Sequence, residues 1–181
     1  MRIIAGEKRG QTILAPKGIQ TRPTSNRVRE ALFSILQARV YGANILDLFS
    51  GSGAVALEAL SRGARHAVCV DNAPQALKVL QENIHKLGYS RQLDAVYGSC
   101  PAVFKRLSGP FDMVFMDPPY GKGLAEEALL HLKGQSGLLS PDALIIVEHE
   151  EPLSFVEGFS VMDERKYGRA ILTFYQRSED E

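Results

Sequence analysis

Two cysteines in 181 residues exclude a disulfide framework, and neither Cys69 nor Cys100 sits in a C-x-x-C spacing that would hold zinc. Both read as small buried apolar residues rather than reactive thiols. No run of about 18 apolar residues occurs, so no helix is expected to cross a membrane. The amino terminus, "MRIIAGEKRG", lacks the apolar stretch of a signal peptide, and a cytoplasmic protein is expected. His66, His85, His131 and His149 show no metal-ligand spacing and read as surface or strand-end residues, so no metal site is expected. Net charge is also missing. The 21 Lys+Arg balance 21 Asp+Glu, which excludes a wholly basic nucleic-acid binder. There is no internal repeat, no second core and no sign of an obligate dimer seam, and a monomer is expected.

What is present is an ordinary globular composition, 45% hydrophobic and 23% charged, sized for a single domain over 1–181. The charge balance hides an asymmetry. Residues 1–30 hold seven basic residues (Arg2, Lys8, Arg9, Lys17, Arg22, Arg27, Arg29) against Glu7 and Glu30, a net of +5, so the rest of the chain sums to −5. Such a split suggests a local anion-binding face, with residues 1–25 as a basic arm, although on charge alone a solvated basic arm is the leading reading.

From residue 43 onward, short apolar runs alternate with helical patterns. Strands are expected at 43–49, 66–71, 93–98, 111–117 and 143–150, with helices near 53–62, 73–87, 100–107 and 123–133. This alternation implies an α/β fold: a mostly parallel sheet with helices on both faces. The run "FSVMDERKYGRAILTFYQ" (159–176) reads as a closing antiparallel hairpin around Gly168, and "RIIAG" with "QTILA" as a small hairpin at the start. A helix then begins near Asn26, its expected N-cap, with Val28, Ala31, Leu32, Ile35 and Leu36 on one face. Arg27 and Arg29 lie in its first turn, where the helix dipole disfavours cations, and breaking a local stability rule is what binding sites tend to do.

"DLFSGSGAVALEAL" (47–60) places Gly51 and Gly53 between the first core strand and its helix, where a ligand can approach a helix N-terminus. With Ala56 and with Asp71 ending the next strand, the loop also satisfies the loose dinucleotide fingerprint G-x-G-x-x-A, so NAD is a candidate. Asp47, directly before the loop, would repel a pyrophosphate by roughly 1–4 kcal/mol at about 4 Å. It would attract the ammonium and sulfonium groups of S-adenosylmethionine (SAM), whose ribose diol suits Asp71. Asp47 as a simple turn cap is the plainer reading.

"FDMVFMDPPYGKG" (111–123) is a core strand ending in an acid and two prolines. Ligands of open parallel sheets bind beyond the carboxyl ends of the strands. Pro118 and Pro119 have no N–H, so the Asp117 carboxylate and the Pro118 carbonyl form a stiff cluster of acceptors. Its complement is an NH2 group, such as the exocyclic amine of an unstacked nucleobase on which Tyr120 could stack. The plain alternative is a rigid strand-ending turn.

"DLFSGSGAVALEALSRGA" with "FDMVFMDPPY" resembles the SAM-dependent amino-methyltransferases of the class I, Rossmann-like fold, whose sheet has seven strands. "MRIIAGEKRG" and "TRPTSNRVREALFSIL" in front resemble the RsmD family of bacterial ribosomal RNA methyltransferases, and the likeness runs from Met1 to the final hairpin. The resemblance implies methylation of guanine N2 in small-subunit (16S) ribosomal RNA, with SAM as cofactor and the small subunit or its assembly intermediate as partner. It assigns Asp47, Phe49, Gly51, Gly53, Asp71 and Asn72 to the cofactor, and Asp117, Pro118, Pro119 and Tyr120 to the target amine. Relatives often carry an acid or Asn after the third strand for the adenine amine, where this chain has Ser99. Arg2, Lys8, Arg9, Lys17, Arg22, Arg27 and Arg29 would bind phosphates, with Thr21, Thr24 and Glu30 at the entrance. Three rivals remain: an adenine-N6 methyltransferase on RNA or DNA, a NAD-dependent oxidoreductase, and a non-catalytic ribosome-assembly RNA-binding protein.

Overall fold

In each core strand, residues of both parities are apolar, so the strands bury both faces of one sheet. The computed structural model describes residues 1–18 and 25–178. Its seven strands are β1 (Asn44–Leu48), β2 (His66–Asp71), β3 (Leu93–Tyr97), β4 (Phe111–Met116), β5 (Leu139–His149), β6 (Phe159–Tyr167) and β7 (Ala170–Arg177). They lie in the order β3-β2-β1-β4-β5-β7-β6. The first five are parallel, and β7 runs antiparallel to both β5 and β6. The expected parallel sheet with a closing hairpin is therefore the observed one.

Side-chain parity sorts the core into two layers. Ile45, Ala67, Cys69, Met113, Phe115 and Ile146 face α1 (Asn26–Leu36), α2 (Ala54–Ser61) and α3 (Pro74–Leu87). Leu46, Val68, Val70, Val114, Met116 and Ile145 face α4 (Leu124–Lys133). Since α2 follows β1 onto one face and α4 follows β4 onto the other, the chain parts between β1 and β4. The carboxyl edge opens there into a crevice.

Three expectations need correction. The segment 100–107 forms only a 3-10 turn, Ala102–Arg106, because Pro101 and the "LSGP" that follows leave no room for a longer helix. Strand β5 starts at Leu139 rather than 143; its early part pairs with β4 across a register shift between Phe111 and Met113. Ser140 Oγ donates to Asp112 Oδ1 at 2.7 Å, which fastens that irregular start. Finally, Ser25, not Asn26, caps α1: its side-chain oxygen accepts the Val28 N–H at 3.2 Å.

The amino-terminal hairpin is present only as a single antiparallel bridge, Arg2 with Thr12. It is held instead by α2 and α3. The Glu58 carboxylate accepts the Ile4 and Ala5 N–H groups at 2.8 and 3.0 Å. Ser61 Oγ accepts the Lys8 N–H at 3.0 Å and donates to the Ala5 carbonyl at 2.6 Å. Gly6, at φ +85°, lies so close to α2 that a Cβ there would sit 1.8 Å from the Ser61 carbonyl oxygen. The arm is thus a built part of the domain.

Candidate active site at the carboxyl edge of the sheet

The strand registers bring the two motifs together. Met116 pairs with Leu48 on one side and Val147 on the other. Asp117, the next residue, therefore stands beside Phe49 and Glu148 at the mouth of the crevice. Leu48 also pairs with Val70, which puts Asp71 one strand farther along the same edge. Acids and glycines up to 66 residues apart in sequence lie along one edge.

The glycine loop is fixed from several directions. Asp71 Oδ2 accepts the Gly51 N–H at 2.8 Å, and Asp71 Oδ1 accepts the Ala73 N–H at 2.9 Å. Gly53 takes φ +78°, where a side chain is strained, and a Cβ there would lie 2.3 Å from Leu80 Cδ1 of α3, which would have to move aside. Phe49 takes φ +60°, a conformation that costs a residue with a side chain roughly 1–2 kcal/mol. Backbone strain of this sort clusters at ligand sites. Asn72 and Ser99 are exposed beside Asp71.

Asp47 behaves differently from the expectation. It points to the α2 face, is 2% exposed, and accepts a backbone hydrogen bond from Ala56 in α2. Burial, with a lesser push from Asp71, raises its pKa to about 8. At neutral pH the carboxyl is mostly protonated, so the repulsion of a pyrophosphate attributed to Asp47 is largely absent. Part of the plainer reading, a carboxyl that stays with the start of α2, is what the structure shows.

At the target side, Asp117 is half-buried, Pro118 buried, and Pro119 and Tyr120 exposed. Pro118, Pro119 and Tyr120 line a cavity of about 260 Å³, closed opposite by Glu148, His149 and Pro152. Glu148 and His149 are each 5% exposed, and sequence reasoning missed both as parts of the site. His149 is a strand-end residue as expected, but a buried one. Its Nδ1 lies 2.8 Å from the Glu151 carbonyl, an acceptor only, so that nitrogen carries a hydrogen; Nε2 is 2.7 Å from the Thr173 hydroxyl. The available signal was an acid and a histidine closing an otherwise apolar strand, "ALIIVEHE".

The basic residues divide into groups. Arg29 was expected to bind phosphate, yet it is 0% exposed. Its Nη2 donates to the Arg2 carbonyl and, at 3.1 Å, to Asn26 Oδ1, while Nε lies 3.8 Å from Glu58 Oε2. It fastens the arm to α1 and α2, and burial lowers its pKa. Lys8 and Arg9 sit by Ser61 at the far end of α2, on the amino edge of the sheet, so they cannot line the target cavity. Arg2 and Arg27 are exposed where α1 begins, and Lys17 and Glu30 are exposed as well. Arg22, Thr24 and Thr21 lie outside the described residues. Among the described residues no group of three His, Cys, Asp or Glu could hold a metal, and no helix is long and apolar enough to cross a membrane.

Comparison with known proteins agrees with this geometry. Residues 1–176 match the family described as Conserved hypothetical protein 95. The chain is 36% identical to the "Ribosomal RNA small subunit methyltransferase D" of Escherichia coli over 98% of its own length and 90% of the relative's. It is 34% identical to the protein of the same name from Haemophilus influenzae, covering 97% and 93%. The solved structure described as "Putative methyltransferase yhhF from Escherichia coli" superposes with a TM-score of 0.86 at 32% identity and 99% coverage of both chains. A sheet that parts between β1 and β4, a strained glycine loop and an Asp-Pro-Pro-Tyr strand end, matched over nearly the whole chain, place this protein in the RsmD family of Rossmann-like methyltransferases.

Proposed function

We propose that the protein methylates the exocyclic N2 amine of a guanine in small-subunit ribosomal RNA, with SAM as methyl donor. One observation carries this reading. The register of Met116 with Leu48 sets the Asp-Pro-Pro-Tyr acceptors directly beside the glycine loop, one strand's width from the loop that would hold the donor. The names of the relatives support ribosomal RNA of the small subunit as the target, and the family resemblance supports the guanine amine.

The residues fit the cofactor by their chemistry. Asp71 has spent one lone pair of each oxygen on backbone N–H groups, and its remaining lone pairs can accept two ribose hydroxyls. Asp47 beneath the loop gains a charge readily when a cation comes near. Bound there, SAM supplies a methyl group on a positively charged sulfur. Across the crevice, the Asp117 carboxylate and the Pro118 carbonyl can take both hydrogens of an amine. Holding both draws the nitrogen out of conjugation and turns its lone pair toward the methyl carbon. Tyr120, 40% exposed, is placed to stack on the base plane. With two prolines at the strand end, the acceptors need little reorganisation as charge develops.

Radiolabelled SAM offered in parallel to small subunits, naked ribosomal RNA and DNA, followed by nucleoside analysis, tests the reading. Label on N2-methylguanosine from a ribosomal RNA substrate is the expected result. Label on adenosine would replace guanine with adenine, and no transfer to any substrate would leave a binding protein on a methyltransferase scaffold.

A further inference from the structure

Asn83 of α3 is buried completely, and its carboxamide uses every donor it has. Its Oδ1 accepts the Leu14 N–H at 2.8 Å; its Nδ2 donates to the Leu14 carbonyl and to the Ser52 carbonyl, each at 3.0 Å. Leu14 belongs to the amino-terminal arm. Ser52 stands between the two glycines of the cofactor loop and is itself buried. One side chain therefore ties the arm to the loop, and a buried amide that lost either partner would keep an unmet polar group.

The surroundings make this link stiff. Gly53 packs against Leu80, one helical turn before Asn83 on the same helix. Gly51 is held by Asp71 from the other side. On the arm, Lys86 Nζ donates to the Thr12 carbonyl at 3.0 Å, and Ile13 is buried in the α2/α3 core layer. Among the described residues of the arm, Leu14 is the last that is hydrogen-bonded to a side chain of the domain.

We infer that Asn83 is a positioning residue that couples the seating of the amino-terminal arm to occupancy of the glycine loop. A ligand that orders the loop around Ser52 strengthens the seat of Leu14, and whatever holds the arm down strengthens the loop's grip on its ligand by the same factor. Since the arm leads into the basic segment proposed to meet RNA, donor and RNA bind cooperatively through this amide. The inference rests on the reading that the glycine loop holds SAM.

Hydrogen exchange on the unaltered protein, with and without saturating S-adenosylhomocysteine, provides the first test. The expected result is slower exchange at Gly51 and Gly53 together with about fivefold slower exchange at the Leu14 amide. Protection of the loop with no change at Leu14 overturns the coupling and leaves the cofactor reading intact; no protection at either place overturns both. The variant Asn83→Asp keeps the acceptor for Leu14 and replaces both donors with oxygen. It is expected to raise KM for SAM about fivefold or more with kcat within about twofold, and to uncouple Leu14 exchange from cofactor binding. A variant that melts earlier but keeps the normal KM and the cofactor-dependent protection of Leu14 would show a merely structural role and overturn the proposal.

Discussion

Single carboxyl groups divide the labour at this site, and each has its own test. Asp117 stands with the amine acceptors and not with the glycine loop, so Asp117→Asn should lower kcat by about 10²–10³, in the range seen when one preorganised group is removed. Affinity for S-adenosylhomocysteine should stay within about threefold; a loss of cofactor binding equal to the loss of rate would move Asp117 to the wrong side of the crevice. Asp47 makes a different prediction, about pH. Its folded pKa of about 8 lies above the ordinary carboxyl value, so between pH 4 and 8 the folded protein holds a proton that the unfolded chain has released. The stability this group contributes is complete below about pH 4 and is lost as pH rises through about 8, on the order of a few kcal/mol. Melting curves of the natural protein and Asp47→Asn should therefore diverge in the variant's favour as pH rises from 5 to 8. Parallel curves would show that Asp47 is solvated. Arg29 is the third case. Arg29→Met should lower stability by about 3 kcal/mol, as breaking a buried charge pair does, without altering the salt dependence of RNA binding.

Elements account for why the arm matters. Glu58 and Ser61 of α2 and Asn83 of α3 take up backbone groups of the first 14 residues, which have little sheet pairing of their own. Gly6 is where this packing is tightest. Gly6→Ala places a Cβ against the Ser61 carbonyl at positive φ, and about 2–4 kcal/mol of destabilisation is expected in a denaturant titration. A change under about 0.5 kcal/mol would mean the arm does not sit there. Strands and long helices could be placed from periodicity, because burial on two faces leaves continuous apolar runs and α3 repeats its apolar residues at helical spacing. The start of β5 and the cap of α1 could not. Each depends on one side chain, Ser140 against Asp112 and Ser25 against Val28, and periodicity carries no record of such contacts.

At the scale of the whole molecule, the sheet order sets where the candidate site lies. Asp117 and the glycines could be named from sequence because motif and strand end coincide. Glu148, His149 and Asn83 could not be placed here from sequence, since their neighbours come from distant parts of the chain. Charge misled at Arg29, which is buried in the domain. Of the arm's basic residues, Arg2, Arg9, Lys17 and Arg27 are exposed among the described ones. At about −0.7 per phosphate, binding to a single-stranded ribosomal RNA fragment should weaken with log salt at a slope of about −3. A slope near zero would remove the arm from RNA binding.

The central claim is that the crevice between β1 and β4 accepts a cationic methyl carrier and rejects a dinucleotide. Titration calorimetry with SAM and S-adenosylhomocysteine, each repeated in excess NADH, tests it most directly. Saturable binding of both, unchanged by NADH and lost in Gly53→Ala, is the predicted result. Saturable binding of NADH that displaces S-adenosylhomocysteine would contradict it.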